Sequence, residues 1–379
     1  MTALTVMAVG DLVVDEPDPA SFFAPARNTL SRGDVVIGHV EVPHSTSTAQ
    51  VSTDVPAPPA DPAALAAIAE AGFHVVTLAG NHVYDVGDQG VADTLKYAAE
   101  AGLVTAGAGL TLDEARRPAV VERGGLRVGV LSYNCVGPRE SWATSRKPGC
   151  AYVKVLTHYE LDHASPGGPP AVYTFADPAH LERMAADVAA LAAEADIVLV
   201  SLHKGVGHTP AALAMYEKPV ARAAIDAGAH AVFAHHAHIM RGVEMYRGRP
   251  IYHGLGNFVT VTHALTPAAG DAGERAQEER MQWSRRRKEL YGFAPDPDMP
   301  YYPFHPESRN TAIATCRFDR DGLVSAGFVP CWIDDAGRPV PLGDGAEGRR
   351  VAAYVEDITR RAGLAAEFGW EGDEVVLRG

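Results

Sequence analysis

Short runs of β-branched residues alternate with alanine-rich segments through much of the chain. We interpret as strands the runs 4–9, 35–40, 73–78, 126–132, 196–202, 231–234 and 251–253. Helices are predicted over 61–71, 88–101, 177–195 and about 211–227. Asp-Pro opens the first and third of them, and this pair favours a helix N-terminus. Strands that alternate with helices form sheets covered by those helices, so the pattern predicts an α/β fold.

Two long stretches without a clean period interrupt this alternation, at about 137–176 and 260–310. Loops of this length inside a compact domain commonly serve as lids over a site or are disordered. The second contains a basic run at 285–288. Such a run is typical of an exposed helix face, and a lid that attracts anions is the alternative interpretation. A hairpin over 312–318 and 323–329 follows, and then a helix near 349–361. We expect one catalytic domain over 1–335 with two lid insertions, and a helical extension over 336–379 packed on it.

The charge balance restricts the partners of the chain. Its 379 residues carry a formal net charge of −14, which repels phosphate backbones and anionic lipids. The N-terminus lacks the basic region and cleavage site of a signal peptide, and no apolar run approaches the roughly 20 residues of a membrane helix. Four cysteines without C-x-x-C spacing favour reduced thiols. We expect a soluble cytoplasmic protein without nucleic-acid or membrane partners, and the sequence leaves open whether it forms a homo-oligomer.

Residue types that bind metals follow the predicted strands at the points where the strands end. These residues are Asp11, Glu41, Asn81 with His82, His203, and the trio His235, His236 and His238. The carboxyl ends of the strands in an open α/β sheet form the edge at which ligands bind. Carboxylates can bridge two metals, and neutral imidazoles suit Zn, Mn, Fe or Ni. The arrangement predicts a pair of divalent cations, with hydrolysis as the natural reaction.

Single residues of this set also have ordinary structural explanations. Asp11 fits a turn or helix cap, Asn81 fits a left-handed turn, and His203 fits a packed core histidine. The segment AHHAH at 234–238 is the strongest single signal. Three imidazoles in four residues carry desolvation and protonation costs that a structural role seldom justifies.

Spacing within the clusters adds a second constraint. Residues two apart in an extended chain point to the same side. His236 and His238 can therefore bind the two metals of one pair. His39 stands in the same relation to Glu41, which predicts an additional nitrogen ligand beside a bridging carboxylate.

An ordered set of short motifs connects these residues. In chain order the motifs are GD at 10–11, VEVP at 40–43, GNHVYDVGDQG at 80–90, SLHKG at 201–205, AHHAHIMRGVE at 234–244, LGNF at 255–258 and HPESR at 305–309. The motifs up to LGNF resemble the CapA family of poly-γ-glutamate capsule synthesis proteins, within the calcineurin-like metallophosphoesterase superfamily, over about residues 4–260, and the later HPESR also looks like this family. The resemblance implies a four-layer α/β/β/α sandwich with long lid insertions and a dinuclear metal centre.

The resemblance also implies a role for each matched residue. The implied metal ligands are Asp11 on the first metal, Glu41 between the two, Asn81 and His203 on the second, and His236 and His238 divided between them. His82 would stabilise the transition state or protonate the leaving group, a role that an imidazole can fill. Asp85 would either orient His82 or cap the helix that follows.

Two motifs depart from the family pattern. The family usually has Asn-Leu-Glu where this chain has HVE at 39–41, and His-Trp-Gly-x-Glu where this chain has HKGVG at 203–207. The histidine of HVE is therefore a candidate ligand. Lys204 is a candidate for binding a phosphate or carboxylate, with a solvated surface lysine as the alternative. We predict that Lys204, His208 and His235 line the substrate pocket.

These features predict a metal-dependent hydrolase in which a hydroxide bridging two metals attacks the substrate. The superfamily favours a phosphoester or a similar anionic substrate, either a small molecule or an oligomer. The link to γ-glutamyl polymers makes an amide or peptide-like bond an alternative. A non-enzymatic component of polymer biosynthesis or export is a second alternative. The ligand types accept Mn, Zn, Fe, Co or Ni, so the sequence does not identify the two metals.

Overall fold

The computed structural model describes residues 3–51, 57–161, 168–262 and 274–379. The strands are β1 Leu4–Val14, β2 Val35–Val40, β3 Val75–Thr77, β4 Val104–Ala106, β5 Ala108–Gly109, β6 Ala119–Arg123, β7 Leu126–Asn134, β8 Gly149–Cys150, β9 Val155–Glu160, β10 Ala171–Ala176, β11 Ile197–His203, β12 Ala231–His235, β13 Val243–Tyr246, β14 Arg249–Tyr252, β15 Asn257–Val261, β16 Asn310–Asp319, β17 Gly322–Ile333, β18 Pro339–Pro341, β19 Glu367–Glu371 and β20 Glu374–Arg378. The helices are α1 Pro19–Phe23, α2 Arg27–Leu30, α3 Ala63–Glu70, α4 Gly87–Glu100, α5 Leu112–Ala115, α6 Pro178–Ala192, α7 Glu217–Asp226, α8 Glu274–Tyr291 and α9 Ala346–Arg361.

Two sheets account for most of these strands. The larger has ten strands, with the order β19-β20-β17-β16-β1-β2-β3-β4, and with β15 beside β1 and β18 beside β17. The smaller has six strands in the order β13-β14-β12-β11-β7-β6. The strands β1 to β4 run parallel in the first sheet, as do β7, β11, β12 and β14 in the second. The alternation of strands and helices along the sequence requires these parallel crossovers.

The apolar residues form layers that reveal how the sheets stack. One buried cluster joins strand residues of both sheets, such as Val6 and Leu199, and therefore lies between them. A second joins the first sheet to α1, α3 and α4, and a third joins the second sheet to α6 and α7. The order helix, sheet, sheet, helix follows directly. The predicted four-layer α/β/β/α sandwich is thus confirmed.

Helix α7 begins later than the sequence pattern indicates, at Glu217 instead of about 211. The guanidinium of Arg241 donates hydrogen bonds to the carbonyl oxygens of Val206 and Ala212. The Glu217 carboxylate accepts a hydrogen bond from the Ala214 backbone N–H. Side chains thus make hydrogen bonds to these backbone groups. The segment before Glu217 therefore forms an ordered loop, although helical periodicity alone favoured a turn of helix there.

The C-terminal segment is less helical than predicted. Besides α9 it contains the β19–β20 hairpin, and β20 pairs with β17, so the hairpin continues the ten-stranded sheet. Helix α9 packs against β16 and β17 of one sheet and β13 of the other. The segment 336–379 therefore contains the predicted helix together with strands that were not predicted, while the division of the chain at residue 335 stays a prediction.

The predicted lid stretches contain regular elements of their own. In the first, β8 pairs with β5, and β9 and β10 form a separate hairpin. The second contains α8 and a short 3₁₀ turn over Pro306–Arg309. Residues 162–167 and 263–273, which fall within these stretches, lie outside the described residues. Among the helices that the structure describes, none has the length and apolar character needed to span a membrane.

Candidate metal centre

The strand ends of both sheets converge on one buried site. Asp11 lies in β1 opposite His39 of β2 and opposite Asn257 of β15. His203 ends β11 and is paired with His235 at the end of β12. The rings of His39 and His203, one from each sheet, have centroids 4.7 Å apart. The site therefore lies across the interface between the sheets, at the edge where the parallel strands end.

Three groups of side chains have the composition and spacing of metal sites. Within each group one ligand atom per residue lies within 4.8 Å of the others; the groups are Asp11 with His39 and His203, Glu41 with His203 and His236, and Asp11 with Glu41 and His238. Glu41 belongs to the group of His236 and also to that of His238. Asp11 and His203 also belong to two groups each, and a carboxylate shared between adjoining groups is suited to bridging two cations.

The site also contains buried polar atoms that make no hydrogen bond. The four carboxylate oxygens of Asp11 and Glu41, together with His39 Nε2 and His203 Nδ1, are buried and have no hydrogen-bond partner within the described part of the chain. Buried polar atoms are ordinarily paired, because an unpaired one costs free energy. Bound cations would satisfy the carboxylate oxygens and His39 Nε2, so the residues present fit a metal centre.

The amide of Asn81 meets two imidazoles on one side of this site. Asn81 Oδ1 lies 2.7 Å from His203 Nε2, and that nitrogen lies 3.1 Å from His236 Nδ1. Ligand atoms about 2.0–2.2 Å from one cation stand roughly 3 Å apart from one another. Both distances from His203 Nε2 are therefore close to those between ligands that share a cation.

The pKa values of the two carboxyl groups shift in opposite directions. Burial and the nearby negative charge of Glu41 raise the pKa of Asp11. Burial would also raise the pKa of Glu41, but the imidazoles of His238, His82 and His39 outweigh it and lower that pKa to about 2. A divalent cation between the two carboxylates would remove the repulsion that raises the pKa of Asp11.

Burial keeps two of the imidazoles neutral, which is the form that binds metals. It lowers the pKa of His39 and of His203 well below the usual value, and the neighbouring imidazoles lower the pKa of each further. His238 differs. Although burial lowers its pKa, contacts with Glu41 and Asp11 raise it to about 9. In the absence of a cation, His238 thus supplies the positive charge that the two carboxylates attract.

His236 and His238 owe their directions to an unusual backbone. Both have positive φ, 93° and 52° respectively, in a region that L-residues other than glycine seldom occupy. Such residues cost about 1–3 kcal/mol each and persist where the surrounding structure imposes them, frequently at functional sites. The predicted extended geometry of AHHAH therefore holds only as far as the end of β12.

Two glycines make room for the site. A Cβ on Gly10 would lie 2.0 Å from the carbonyl oxygen of Gly256, and that oxygen accepts the backbone N–H of Asp11 at 2.8 Å. A Cβ on Gly80 would lie 3.3 Å from His39 Nε2. The glycine of the GD motif thus permits the close approach of Gly256 that holds Asp11 in place. The glycine of the GNH motif leaves space beside His39.

The side chains of Asn257 and Tyr302 orient His238, and neither residue was predicted to belong to the site. Tyr302 donates its hydroxyl proton to the Ser308 carbonyl and accepts a hydrogen bond from Asn257 Nδ2 at 3.0 Å. The amide is thereby fixed with Oδ1 facing His238 Nδ1 at 2.9 Å. His238 Nδ1 therefore carries the proton, and its Nε2, 3.3 Å from Glu41 Oε1, is the ligating atom. The LGNF motif contains Asn257, but only the fold brings Tyr302 to it.

Thr77 has a similar effect on His39. Its hydroxyl lies 3.0 Å from His39 Nδ1 and donates to the Gly38 carbonyl. The hydroxyl oxygen can therefore accept the Nδ1 proton, which leaves the lone pair of Nε2 directed into the site. His39 as a nitrogen ligand stays a prediction, and this geometry leaves Nε2 free to serve as the ligand atom.

His82 and Asp85 contact each other as the motif suggested. His82 Nδ1 lies 2.7 Å from Asp85 Oδ2, and both side chains are buried. Helix α4 begins at Gly87 after Val86, which makes no side-chain cap bond. The structure contains a contact for one of the two roles considered for Asp85, the orientation of His82.

His235 does not line a pocket. It is 2% exposed, its Nε2 lies 3.1 Å from the Val9 carbonyl, and its Nδ1 lies 3.3 Å from the Ser201 hydroxyl. Its ring stacks on His39 with centroids 4.7 Å apart, and burial lowers its pKa to about 4. We therefore reassign His235 from substrate binding to packing behind His39.

Lys204 also turns away from the predicted pocket. It is fully buried, and its ammonium donates to Glu217 Oε2 at 2.9 Å and to the His253 carbonyl at 3.3 Å. Glu217 also pairs with Arg241 at 3.3 Å. The ammonium already has a counter-ion within the protein, so we reassign Lys204 to supporting the loop behind His203.

His208 is the predicted pocket residue that remains beside the metal centre. Its ring centroid is 6.0 Å from that of His238. The aromatic rings of Tyr291, Phe293 and Phe304 surround it at 5.0, 4.9 and 6.3 Å. The second lid stretch thus contributes the wall on this side of the site.

The sequence of this chain matches a described family. The family described as bacterial capsule synthesis protein PGA_cap matches residues 5–262. A probable polyglutamine synthesis accessory protein of Mycobacterium tuberculosis is 36% identical over 193 residues, which cover 49% of this chain and 45% of that protein. The capsule biosynthesis protein CapA of Bacillus anthracis is 29% identical over 193 residues, which cover 51% of this chain and 41% of that protein. The matched region thus spans less than half the length of these curated relatives.

A solved structure is similar over most of the chain. The calcineurin-like phosphoesterase YfkN of Bacillus subtilis aligns with a TM-score of 0.41 and 12% identity, covering 95% of this chain and 98% of that one. Because this TM-score is below 0.5, the assignment of the family rests on the sequence. The family match extends over more than half of the chain, and the chain therefore belongs to the bacterial capsule synthesis protein PGA_cap family.

Proposed function

We propose that this chain is a metal-dependent hydrolase that holds two divalent cations and acts on a phosphoester or a similar anionic substrate. One observation carries the proposal: Glu41 lies in two ligand groups at once, and its carboxylate oxygens are buried without a hydrogen-bond partner in the described chain. A structural ion pair would not need a second, adjoining set of nitrogen and oxygen ligands. A dinuclear centre needs both sets.

The ligand groups suggest how the residues divide. Asp11, Glu41 and His238 would hold one cation, with His39 on the same side. The other ligands would be Glu41, Asn81, His203 and His236. When bound, two such cations lower the pKa of a water and polarise the bond that it attacks.

His82 supplies the proton that the leaving group requires. Its Nδ1 is held by the Asp85 carboxylate at 2.7 Å, so the ring cannot rotate without losing that contact. The opposite nitrogen, Nε2, is then the atom that donates a proton to the leaving oxygen or nitrogen. General acids of this kind typically contribute about 10²–10⁴-fold to the rate.

An amide or γ-glutamyl bond is the second candidate, favoured by the names of the relatives. The similar proteins are named for polyglutamine synthesis and capsule biosynthesis. The same residues serve this reaction, because an amide carbonyl is polarised and its leaving nitrogen protonated in the same way. The ligand set is common to both candidates. Assays with different substrates are therefore needed to decide which bond is cleaved.

Elemental analysis followed by a substrate panel tests the proposal. The purified chain, restored with Mn, Zn, Fe, Co or Ni, is assayed in parallel on aryl phosphate mono- and diesters and on γ-glutamyl anilides. We expect about two metal ions per chain and turnover of one substrate class. Asp11→Asn should lose metal and turnover, whereas Asp113→Asn, at an exposed side chain, should retain both. Absence of bound metal and of any response to added metal would favour a non-enzymatic role in polymer biosynthesis or export.

A further inference from the structure

Arg287 is the buried member of the basic run on α8. It is 6% exposed, whereas Arg285 and Lys288 are exposed. Its guanidinium lies 5.6 Å from the ring centroid of Phe293 and 5.7 Å from that of Phe304, and donates to the Pro303 carbonyl. This one side chain of the run thus turns into the protein, toward the wall beside the metal centre.

The charge of Arg287 has no anionic partner. Among the residues that the structure describes, no carboxylate lies within 4.0 Å of its guanidinium; the polar contacts are the Pro303 carbonyl and His208 Nε2, at 3.2 Å from Nη2. A buried charge without a counter-ion is costly. Burial lowers the pKa of Arg287 to about 10, so the side chain still carries its charge at neutral pH.

His208 contributes a second unpaired donor at the same place. A guanidinium donates hydrogen bonds and cannot accept them, so His208 Nε2 must be the acceptor in its contact with Arg287. The proton of the neutral ring is therefore on Nδ1. That nitrogen is buried and has no partner in the described part of the chain. The guanidinium on one edge of the His208 ring thus has only neutral acceptors among the described residues, and the Nδ1–H on the other edge has none.

This pair adjoins the metal centre. The ring of His208 is 6.0 Å from that of His238. Phe304, which contacts Arg287, lies 4.8 Å from His238 between ring centroids. His238 Nε2 in turn faces Glu41. A molecule that reaches the candidate cations therefore lies beside His208 and Phe304, the two residues that separate Arg287 from His238.

We propose that Arg287 binds a second charged group of the substrate, a phosphate or a carboxylate beside the bond cleaved at the metal centre, while the Nδ1–H of His208, on the opposite edge of that ring, is left to donate to another part of the substrate. The inference deepens the proposed function and rests on it for the reaction itself. A guanidinium suits this role because its planar donors match the two oxygens of such a group.

The alternative is that Arg287 only attaches the 293–304 segment to α8. Its bond to the Pro303 carbonyl and its two aromatic contacts serve that purpose. An apolar side chain between Phe293 and Phe304 would do so as well, without the cost of a buried charge. That alternative also leaves the Nδ1 proton of His208 without a use. The two explanations differ in whether anion affinity depends on Arg287.

Anion titration separates the explanations. Binding of orthophosphate and of glutarate to the full chain is measured by calorimetry, with metals restored and again without added metal. Arg287→Met should weaken binding of at least one anion by about 10- to 100-fold, the range of a charge-assisted hydrogen-bonded contact. Arg287→Lys, which keeps the charge but not the planar donors, should fall between. Arg285→Met, at an exposed position of the same helix, should bind as the wild type does.

Each outcome has a defined meaning. The anion whose affinity depends on Arg287 identifies the group as phosphate or as carboxylate. Equal affinities in wild type, Arg287→Met and Arg287→Lys would overturn the proposal, as would a wild-type chain that binds neither anion. If Arg287→Met fails to fold, Arg287→Lys decides the question alone. Anion binding that depends on Arg287, in a chain that shows no turnover, would contradict the proposed hydrolase and leave the oxyanion site standing.

Discussion

The rings of His39 and His203 lie with their centroids 4.7 Å apart, although His39 belongs to β2 of the ten-stranded sheet and His203 ends β11 of the six-stranded one. Neither sheet alone contains the candidate centre. A cation bound there would hold the two sheets together, which couples metal binding to folding.

Metal binding should therefore raise the thermal stability of the chain. At a free cation concentration about 1,000 times its Kd, a ligand that binds only the folded state stabilises it by about 4 kcal/mol. We expect the Tm from differential scanning calorimetry to fall on chelation and to recover when metal is returned. Asp11→Asn should abolish this response while Asp113→Asn preserves it. A Tm independent of metal in the wild type would contradict a cation at the interface of the sheets.

Replacing His82 should separate catalysis from metal binding. Because His82 contacts Asp85 and is assigned to proton transfer, His82→Ala should lower kcat by about 10²–10⁴-fold and leave the metal content unchanged. Asp85→Asn should cause a smaller loss, since the ring loses its anionic partner but not its position in the chain. His158→Ala, at an exposed site, is the control. Metal loss in His82→Ala would make His82 a ligand.

Asn257 should affect metal affinity without being a ligand. Removing a group that orients a ligating histidine typically costs about 10–100-fold in affinity. Asn257→Ala should show this loss in a competition titration with a chromogenic chelator, and Tyr302→Phe a smaller one, because Tyr302 only fixes the amide. Asn28→Ala, at an exposed asparagine, should bind metal normally. Unchanged affinity in Asn257→Ala would show that His238 does not need this contact.

The buried pair of Lys204 and Glu217 should matter for stability. Glu217→Gln would leave two buried cations, Lys204 and Arg241, without their carboxylate, and removing one partner of a buried pair costs about 3–5 kcal/mol. Urea denaturation measures this loss. Lys96→Met, in an exposed pair with Glu100, should change stability by less than about 1 kcal/mol. A similarly small effect of Glu217→Gln would mean that the buried network is not required.

His44 should make the protein sensitive to mild acid. Burial lowers its pKa to about 4, against the opposing effect of its hydrogen bond to the Val42 carbonyl. Between pH 6.5 and 4 the unfolded chain therefore binds a proton that the folded chain does not, so stability falls as the pH falls, by up to about 3 kcal/mol. In His44→Asn the free energy of unfolding should vary less steeply over this range than in His158→Asn. Equal slopes would contradict the prediction.

Much of the fold was predictable because strand and helix patterns are local. The strand β11 and the hairpin β16–β17 agree with the sequence pattern within a few residues. The pairing of β20 with β17 was not predicted, because paired residues such as Ala326 and Leu377 lie about 50 positions apart in the chain. Pairing over such distances depends on the assembled sheet and leaves little trace in the local pattern.

The sequence by itself determined which chemical groups arrive at the strand ends, because side-chain types and strand positions are both encoded locally. Only the tertiary structure decided which of those groups share a site. Lys204 and His208 follow the same strand, yet Lys204 pairs with Glu217 while His208 lies beside His238. Their directions depend on burial and on partners from distant segments, such as Arg287 on α8. Long-range packing therefore assigns to each residue the role that its chemistry merely permits.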